Sequence, residues 1–171
     1  IGMQTMSGAV SPLKENPHFV RLLTMFTNPF MGILVGIVFT AVLQSASASV
    51  GILQALSITG SITFAAALPI TMGIGVGAAC PVLLSSIGTN KNGKRTALIY
   101  LLNDLFGMIF WSIVFYSVNA IVHFPFMGEI MSPFRVALLN TVFRLLTILV
   151  LAPFIGKIEK LVFFLIKDTD E

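Results

Sequence analysis

The feature of the sequence that most limits the possible folds is a polar segment at residues 44–49, Gln-Ser-Ala-Ser-Ala-Ser, between two apolar arms. The arm at residues 30–43 has Thr40 as its only polar side chain, and residues 50–58 form the second arm. As a helix, the first arm would be about 21 Å long, whereas the hydrocarbon core of a bilayer is about 30 Å thick. The polar segment is therefore predicted at membrane depth, either as a break in one crossing helix or as the tip of a re-entrant hairpin.

The polar segment has two possible roles. Non-helical backbone at membrane depth is tolerated where it is buried in protein or lines a watery cavity. In that case Gln44, Ser45, Ser47 and Ser49 supply an amide and three hydroxyls to a small polar solute. Alternatively, the hydroxyls bond back to their own helix and Gln44 links two helices. The density of polar side chains in six residues favours the binding site.

The composition predicts an all-α, polytopic membrane protein. The chain has 171 residues, of which 56% are hydrophobic and 10% are charged, and this excludes a soluble domain. Its Lys and Arg residues are scattered over loops and helix ends, so no nucleic-acid partner is expected. The single cysteine, Cys80, gives neither a disulfide nor a metal set. An enzyme is not expected either, because the only histidines, His18 and His123, lie in predicted loops and leave the serines without a base.

A second break is predicted where three glycines occupy alternate positions, Gly73, Gly75 and Gly77. Each glycine costs a helix about 1 kcal/mol relative to alanine. We therefore expect an unwound stretch whose bare backbone faces the same cavity as the polar segment. Residues 44–49 and 73–79 are predicted to be non-helical or helix-terminal and to lie close together at mid-membrane.

The remaining segments give the predicted topology. Residues 14–28 read as an amphipathic helix at the membrane interface, and residues 96–122 and 134–155 as spanning helices. The most basic short loop is NKNGKR at residues 90–95. The positive-inside rule places this loop and the C-terminal end in the cytoplasm. The segments expected outside are residues 59–61, 123–133 and, for a re-entrant hairpin, 14–28.

Two patterns predict contacts between helices within the membrane. Gly32 and Gly36 form a GxxxG pattern, which is common and therefore weak evidence of a close helix contact. Asp104 and Arg144 are charged residues near the middle of the two predicted spanning helices. Neither charge is expected to face lipid, so we predict that they pair. The predicted helix bounds leave them offset by about eight residues, or about 12 Å, so pairing requires helix tilt or a shifted helix start.

The order of these segments resembles one repeat of the sodium/phosphate cotransporter family (type II-like, including bacterial members). The resemblance rests on GMQTMSGAVSPL, NPFMGILVGIVFTAVL, the polar segment, the glycine-rich segment and SIGTNKNGKRTAL. Family members have two inverted repeats, each with a Gln-Ser-Ser-Ser-Ala-Thr hairpin tip and a Gly-x-Asn-x-Gly-Thr-Thr break. The resemblance implies that residues 1–171 are one transmembrane domain, the C-terminal repeat of a longer transporter.

The match to the two family motifs is partial. The matching residues are Gln44, Ser45, Ser47, Ala48, Gly73 and Gly77. The departures are Ala46 and Ser49 in the tip and Gly75, Ala78 and Ala79 in the break. These changes remove the side-chain oxygens of an asparagine, two threonines and a serine, while Ser49 keeps a hydroxyl where the family has a third threonine. Fewer oxygen ligands for sodium remain as a result.

The resemblance implies sodium-coupled uptake of inorganic phosphate across the cell membrane by alternating access. Phosphate would bind Gln44, Ser45, Ser47 and Ser49 together with the glycines at 73, 75 and 77, and sodium would bind near Ser45 and Ser47. The implied partners are the lipid bilayer and either the first repeat of the same chain or a second copy. The alternative is a non-transporting sensor or assembly module that retains the fold, which the departures favour.

Overall fold

The computed structural model describes residues 2, 5 and 25–167, so the amphipathic helix predicted at residues 14–28 lies largely outside the described part. Residues 25–167 form an all-α structure, as predicted. Short 3-10 helices follow α5 at Pro125–Gly128 and α6 at Ala152–Phe154. The α-helices in chain order are α1 Pro29–Leu43, α2 Ala46–Ile58, α3 Phe64–Gly77, α4 Ala79–Ser86, α5 Lys91–Val122, α6 Pro133–Leu151 and α7 Ile155–Leu165.

Among the residues that the structure describes, three apolar segments are long enough to cross a bilayer, and the chain is a membrane protein. They are Phe64–Ser86, Lys91–Val122 and Pro133–Leu165. The helices α1 and α2 are apolar but shorter, with 15 and 13 residues. They form a helical hairpin because the chain reverses at Gln44, whose φ of 54° and ψ of 25° are left-handed. The structure thus favours the hairpin over a single crossing helix.

The hairpin packs against α3 through small residues. Gly32 faces Pro69, Gly36 faces Gly73, and Gly77 faces Thr40, so residue numbers rise together and the two helices run parallel. A methyl group on Gly32 would lie 2.6 Å from Pro69 Cγ, and one on Gly77 would lie 2.8 Å from Thr40 Cβ. We call this surface the glycine contact. The weak GxxxG pattern of α1 is therefore the basis of its packing.

The prediction of an unwound stretch at the three glycines is wrong. Gly73, Gly75 and Gly77 are helical, and Ala78 keeps right-handed helical angles (φ −65°, ψ −18°) between α3 and α4. Gly73 and Gly77 are four residues apart, which is the spacing at which small residues let two helices approach closely. Close packing offsets the low helix propensity of glycine at these positions. Helix α3 is the central element, since its residues 66–77 are all buried.

Hydrogen bonds between two loops define one end of the bundle. The backbone N–H of Phe64 donates to Glu129 O at 2.9 Å, and that of Met131 donates to Ile62 O at 2.8 Å. Ile62 and Met131 also belong to an apolar cluster of α2, α3 and α6, with Leu53, Ile70, Ile74 and Val136. The loops around residues 59–63 and 123–132 therefore lie together, which agrees with their common side in the predicted topology.

Arg95 attaches α7 to the beginning of α5 at the other end. Its Nε and Nη2 donate to the carbonyl oxygen of Ile166 at 3.1 and 2.7 Å, and its Nη1 donates to Asn92 Oδ1 at 3.2 Å. The guanidinium carbon lies 4.1 Å from the centre of the Phe163 ring. Arg95 itself is 6% exposed. A planar group with several fixed donors is required to make these contacts together.

We expect substitution at the glycine contact to destabilise the fold. Gly36→Ala and Gly73→Ala each place a methyl group against backbone atoms of the facing helix, so the free energy of unfolding should fall by about 1–3 kcal/mol. Gly51→Ala is the matched control, because a methyl group on this helical glycine meets nothing within 4 Å. It should be neutral or stabilising by up to about 1 kcal/mol. Thermal unfolding in detergent measures all three, and equal losses would contradict the packing described here.

Arg95→Lys should loosen α7 while leaving the centre of the fold intact. Lysine keeps the positive charge but has neither the fork of donors nor the planar group that stacks on Phe163. Amide hydrogen exchange of Ile155–Leu165 should therefore become faster, with exchange in α3 unchanged. Lys94→Gln, at an exposed neighbouring position, is the control and should leave both helices protected. Unaltered exchange of α7 in the Arg95 variant would show that the attachment lies elsewhere.

Candidate functional site

The hairpin tip, residues 44–49, presents two adjacent hydroxyls at the beginning of α2. Ser45 is the helix cap: the backbone N–H of Ala48 donates to Ser45 Oγ at 3.2 Å. Ser47 Oγ lies 3.2 Å from Ser45 Oγ, and the Ser47 side chain is exposed. The first turn of a helix also carries backbone N–H groups without helical partners. The structure thus brings Ser45 and Ser47 together beside backbone donors.

Gln44 lies next to this pair, at the reversal of the chain. Its backbone N–H donates to Thr40 O at 2.8 Å and closes the last turn of α1, while its side chain is exposed. The left-handed conformation is uncommon for residues other than glycine, asparagine and aspartate. Gln44 therefore has a constrained backbone and an amide that makes no contact needed for the hairpin.

Ser49 was predicted to bind substrate, but the structure gives it a different position. It is buried, and its hydroxyl donates to Ser45 O at 3.0 Å and accepts from Thr40 Oγ1 at 2.9 Å. The bond from Thr40 links α1 to α2, so Ser49 holds the hairpin together. Thr40 is fully buried and was not predicted as part of the site. The available signal was its position as the only polar side chain in the first arm.

The three predicted glycines do not form one surface with the tip. Gly73 and Gly77 belong to the glycine contact, and Gly77 meets Thr40, the residue that bonds Ser49. The end of α3 is therefore close to the tip, as predicted. Gly75 faces away from α1 and towards α5, since a methyl group on it would lie 4.0 Å from Asp104 Oδ2. It lines a polar cavity that is separate from the hairpin tip.

This polar cavity lies between α3, α5 and α6 and has a volume of about 180 Å³. Within it, the structure gives Asp104 Oδ2 and Thr147 Oγ1 no hydrogen-bond partner, although both atoms are buried. Asp104 Oδ1 accepts from Asn103 Nδ2 at 3.4 Å. The cavity is lined by Gly75, Tyr100, Asn103, Asp104, Phe143, Arg144, Thr147 and Ile148.

Asp104 and Arg144 line the same cavity, but the predicted ion pair is not formed between these two described residues. Thr147 packs on Gly107 and sets the register of the two antiparallel helices. Asp104 lies three residues before Gly107, and Arg144 lies three residues before Thr147. Because the helices are antiparallel, Asp104 and Arg144 lie on opposite sides of the Gly107–Thr147 contact. Six residues at 1.5 Å each separate them by about 9 Å along the helix axes. Helical side chains also point towards the N-terminus of their own helix, which increases the separation in antiparallel helices.

The described residues include no cluster of three or more His, Cys, Asp or Glu side chains that could hold a metal ion. A cation in this part of the chain would therefore be held by a mixture of carboxylate, hydroxyl, amide and backbone oxygens. Ser45 and Ser47, the predicted sodium ligands, supply two hydroxyls at the tip. The polar cavity supplies the carboxylate of Asp104.

Comparison with known proteins gives one finding. A family model described as Na+/Pi-cotransporter matches residues 1–140. No curated protein and no solved structure matches the chain. The matched residues include the hairpin, the glycine-rich helix α3 and the whole of α5.

The bond between Thr40 and Ser49 should contribute to the stability of the hairpin. Thr40→Val and Ser49→Ala each remove one partner of a buried hydrogen bond, so each should lower the free energy of unfolding by about 1–3 kcal/mol. The double variant should lose less than the sum of the two, because both single changes remove the same bond. Thr141→Val is the control, since the exposed Thr141 hydroxyl bonds only to Ala137 O of its own helix. Additive losses in thermal unfolding would contradict this role of Ser49.

Proposed function

Because the chain belongs to the Na+/Pi-cotransporter family, we propose that it carries inorganic phosphate into the cell by alternating access, with the hairpin tip as half of the substrate site. Membership gives the chain a general role in sodium-coupled phosphate transport. Family membership also agrees with the prediction that the protein is not an enzyme, since this is a family of transporters. The substrate site, the direction of transport and the mechanism are the proposed part.

The observation that carries the proposal is the pair of hydroxyls at the beginning of α2. Ser45 Oγ and Ser47 Oγ are 3.2 Å apart at the N-terminus of a 13-residue helix. Helix N-termini favour anions, because their free N–H groups and the helix dipole present partial positive charge. Phosphate oxygens would accept bonds from these hydroxyls, from the first-turn N–H groups and from the Gln44 amide. Sodium would bind nearby, against hydroxyl and carbonyl oxygens.

The proposed orientation places the end formed by α7 and the start of α5 in the cytoplasm. Most of the described basic side chains lie at that end, namely Lys91, Lys94, Arg95, Lys157, Lys160 and Lys167. The hairpin then enters the bilayer from outside, because α1 runs parallel to α3 and α3 begins at the opposite end. We place the protein in the cell membrane as a multi-pass protein.

In a complete transporter, the tip of a second hairpin would lie next to the hairpin tip described here. In the proposed arrangement, the first inverted repeat of the same chain or a second copy supplies the other half of the site. Ala78 and Ala79 stand where the family pattern has threonines, next to the end of α3. This loss of hydroxyls is the observation that favours the alternative, a sensor or assembly module that binds but does not transport.

Uptake of radiolabelled phosphate into vesicles tests the proposal, using the protein that contains this chain with and without a sodium gradient. Gln44→Gly removes the amide while accepting the left-handed backbone, and Ser47→Ala removes an exposed hydroxyl. Each should reduce uptake by about tenfold or more, because a hydrogen bond to a charged group contributes about 1.5–3 kcal/mol.

Ser85→Ala is the control for both variants. The Ser85 hydroxyl is exposed and bonds only to Val82 O of its own helix, so this change should leave uptake unaltered. Sodium-independent uptake would refute the coupling. Phosphate binding without uptake would support the sensor or assembly module instead.

A further inference from the structure

We propose that an apolar cavity at the start of α6 binds a zwitterionic phospholipid with a primary ammonium group, of the phosphatidylethanolamine type. The cavity has a volume of about 390 Å³ and lies beside the loop at residues 123–132. An acyl chain of the lipid would fill its interior, and the headgroup would bind Glu129 and Arg135 at its mouth. We call this cavity the lipid cavity. It is separate from the hairpin tip, and the proposal does not rest on the proposed function.

The interior of the lipid cavity is apolar and runs along α6 into the bilayer. From Arg135 to Val142 the helix rises by about 10 Å, so the cavity extends that far from its charged mouth. Cavities of this size with mostly apolar walls are typical of ligand sites. The apolar lining residues are Phe64, Phe126, Met131, Leu138, Leu139 and Val142.

The mouth of the cavity holds one carboxylate and one guanidinium. Arg135 Nη1 donates to Glu129 Oε2 at 2.6 Å, and the side chains of Arg135 and Glu129 are 52% and 53% exposed. An ion pair this exposed contributes only about 0–1 kcal/mol, so a headgroup can separate the two charges with little loss of stability.

The backbone holds both charged residues at the mouth independently of their ion pair. The carbonyl oxygen of Glu129 accepts from the N–H of Phe64 at 2.9 Å, which fixes the loop to the beginning of α3. The N–H of Arg135 donates to Ser132 Oγ, the cap of α6, at 3.3 Å. The two charges would therefore remain beside each other when a headgroup lies between them.

The depth of the mouth in the membrane suits a headgroup. Helix α6 has 19 residues, which is about the length needed to cross the hydrocarbon core. Arg135 is in its first turn and therefore lies near the boundary between headgroups and hydrocarbon. Ile130 and Phe134 beside the pair are exposed apolar residues. A molecule with a polar end at this boundary and an apolar chain below it matches both parts of the cavity.

The charges at the mouth select the headgroup. Glu129 and Arg135 are the only charged residues in the segment 124–135, and the neighbouring loop at residues 59–63 has none. An anionic headgroup would be attracted by Arg135 and repelled by Glu129. Phosphoethanolamine has a phosphate for Arg135 and an ammonium for Glu129, so both contacts are charge-assisted hydrogen bonds. A choline headgroup has no N–H to donate to Glu129.

Lipid binding to the purified protein that contains this chain tests the proposal in detergent. Radiolabelled dioleoylphosphatidylethanolamine should bind, and the phosphatidylcholine and phosphatidylglycerol with the same acyl chains should compete about tenfold more weakly or worse. Each of these two lipids lacks the charge-assisted hydrogen bond to Glu129, which contributes about 1.5–3 kcal/mol. Equal competition by all three lipids would overturn the proposal, because only acyl chains would then be recognised.

Charge variants assign the two headgroup contacts. Glu129→Gln keeps the shape of the side chain, and it should remove the preference for phosphatidylethanolamine while leaving phosphatidylcholine binding unaltered. Arg135→Gln should weaken the binding of both lipids, because both carry the phosphate. Lys94→Gln, at an exposed position at the other end of the bundle, is the control and should bind as wild type does. An unchanged preference in Glu129→Gln would overturn the proposal.

Leu138→Trp tests the interior of the cavity. Leu138 is 49% exposed, so a larger side chain can enter the cavity without displacing the buried core. Binding of phosphatidylethanolamine should be lost, while the unfolding temperature without added lipid should stay unaltered. Leu149→Trp is the matched control, because Leu149 is exposed on the same helix outside the cavity.

Two results with the Leu138 variant would overturn the proposal. One is binding of phosphatidylethanolamine at the wild-type level. The other is conversion of an oligomer to a monomer in light scattering, together with no lipid binding by the wild type, which would identify a second copy of the chain as the occupant.

Discussion

The direct backbone contact between α1 and α3 is the interaction on which the rest of the structure depends. Inside a bilayer, lipid chains are as apolar as leucine, so helices associate through close packing rather than through the hydrophobic effect. With 15 residues, α1 is too short to cross the bilayer, so its position depends on its contacts with other helices. Gly36 and Gly73 let its backbone reach that of α3. This contact sets the depth of the tip beside Gly77 and leaves Gly75 free to face α5 and α6.

The hairpin, one of the two possibilities that the sequence predicts, follows from a single length comparison. An apolar arm that is shorter than the bilayer cannot cross it, and this argument does not require knowledge of the neighbouring helices. The unwound segment at residues 73–79 was predicted incorrectly because helix propensity was considered without packing. The three glycines are two residues apart in sequence, and the outer two, Gly73 and Gly77, are four residues apart. Only Gly73 and Gly77 face a partner helix, α1. The sequence does not show that α1 packs against α3, so it does not show which of the two spacings determines the structure.

The candidate site was predictable where it depends on neighbouring residues and not where it depends on register. Ser45 and Ser47 are two residues apart at a helix start, so their proximity is a local property. The position of Ser49 depends on Thr40 of the opposing helix. The separation of Asp104 from Arg144 depends on a contact between α5 and α6 that gives no signal in either segment alone. Two helices of known length can pair in several registers, and side-chain packing selects among them.

The glycine contact also restricts how the hairpin can move. Small residues on both helices recur at intervals of four, so the surfaces fit again only after a shift of four residues, about 6 Å. A smaller shift would press side chains of one helix against backbone of the other. The hairpin therefore has a discrete step and cannot slide continuously. Smaller displacements of the tip must carry α3 with it. The surfaces that slide then lie between α3 and the pair formed by α5 and α6, and between α2 and α6, where Gln54 Nε2 donates to Pro133 O at 3.0 Å.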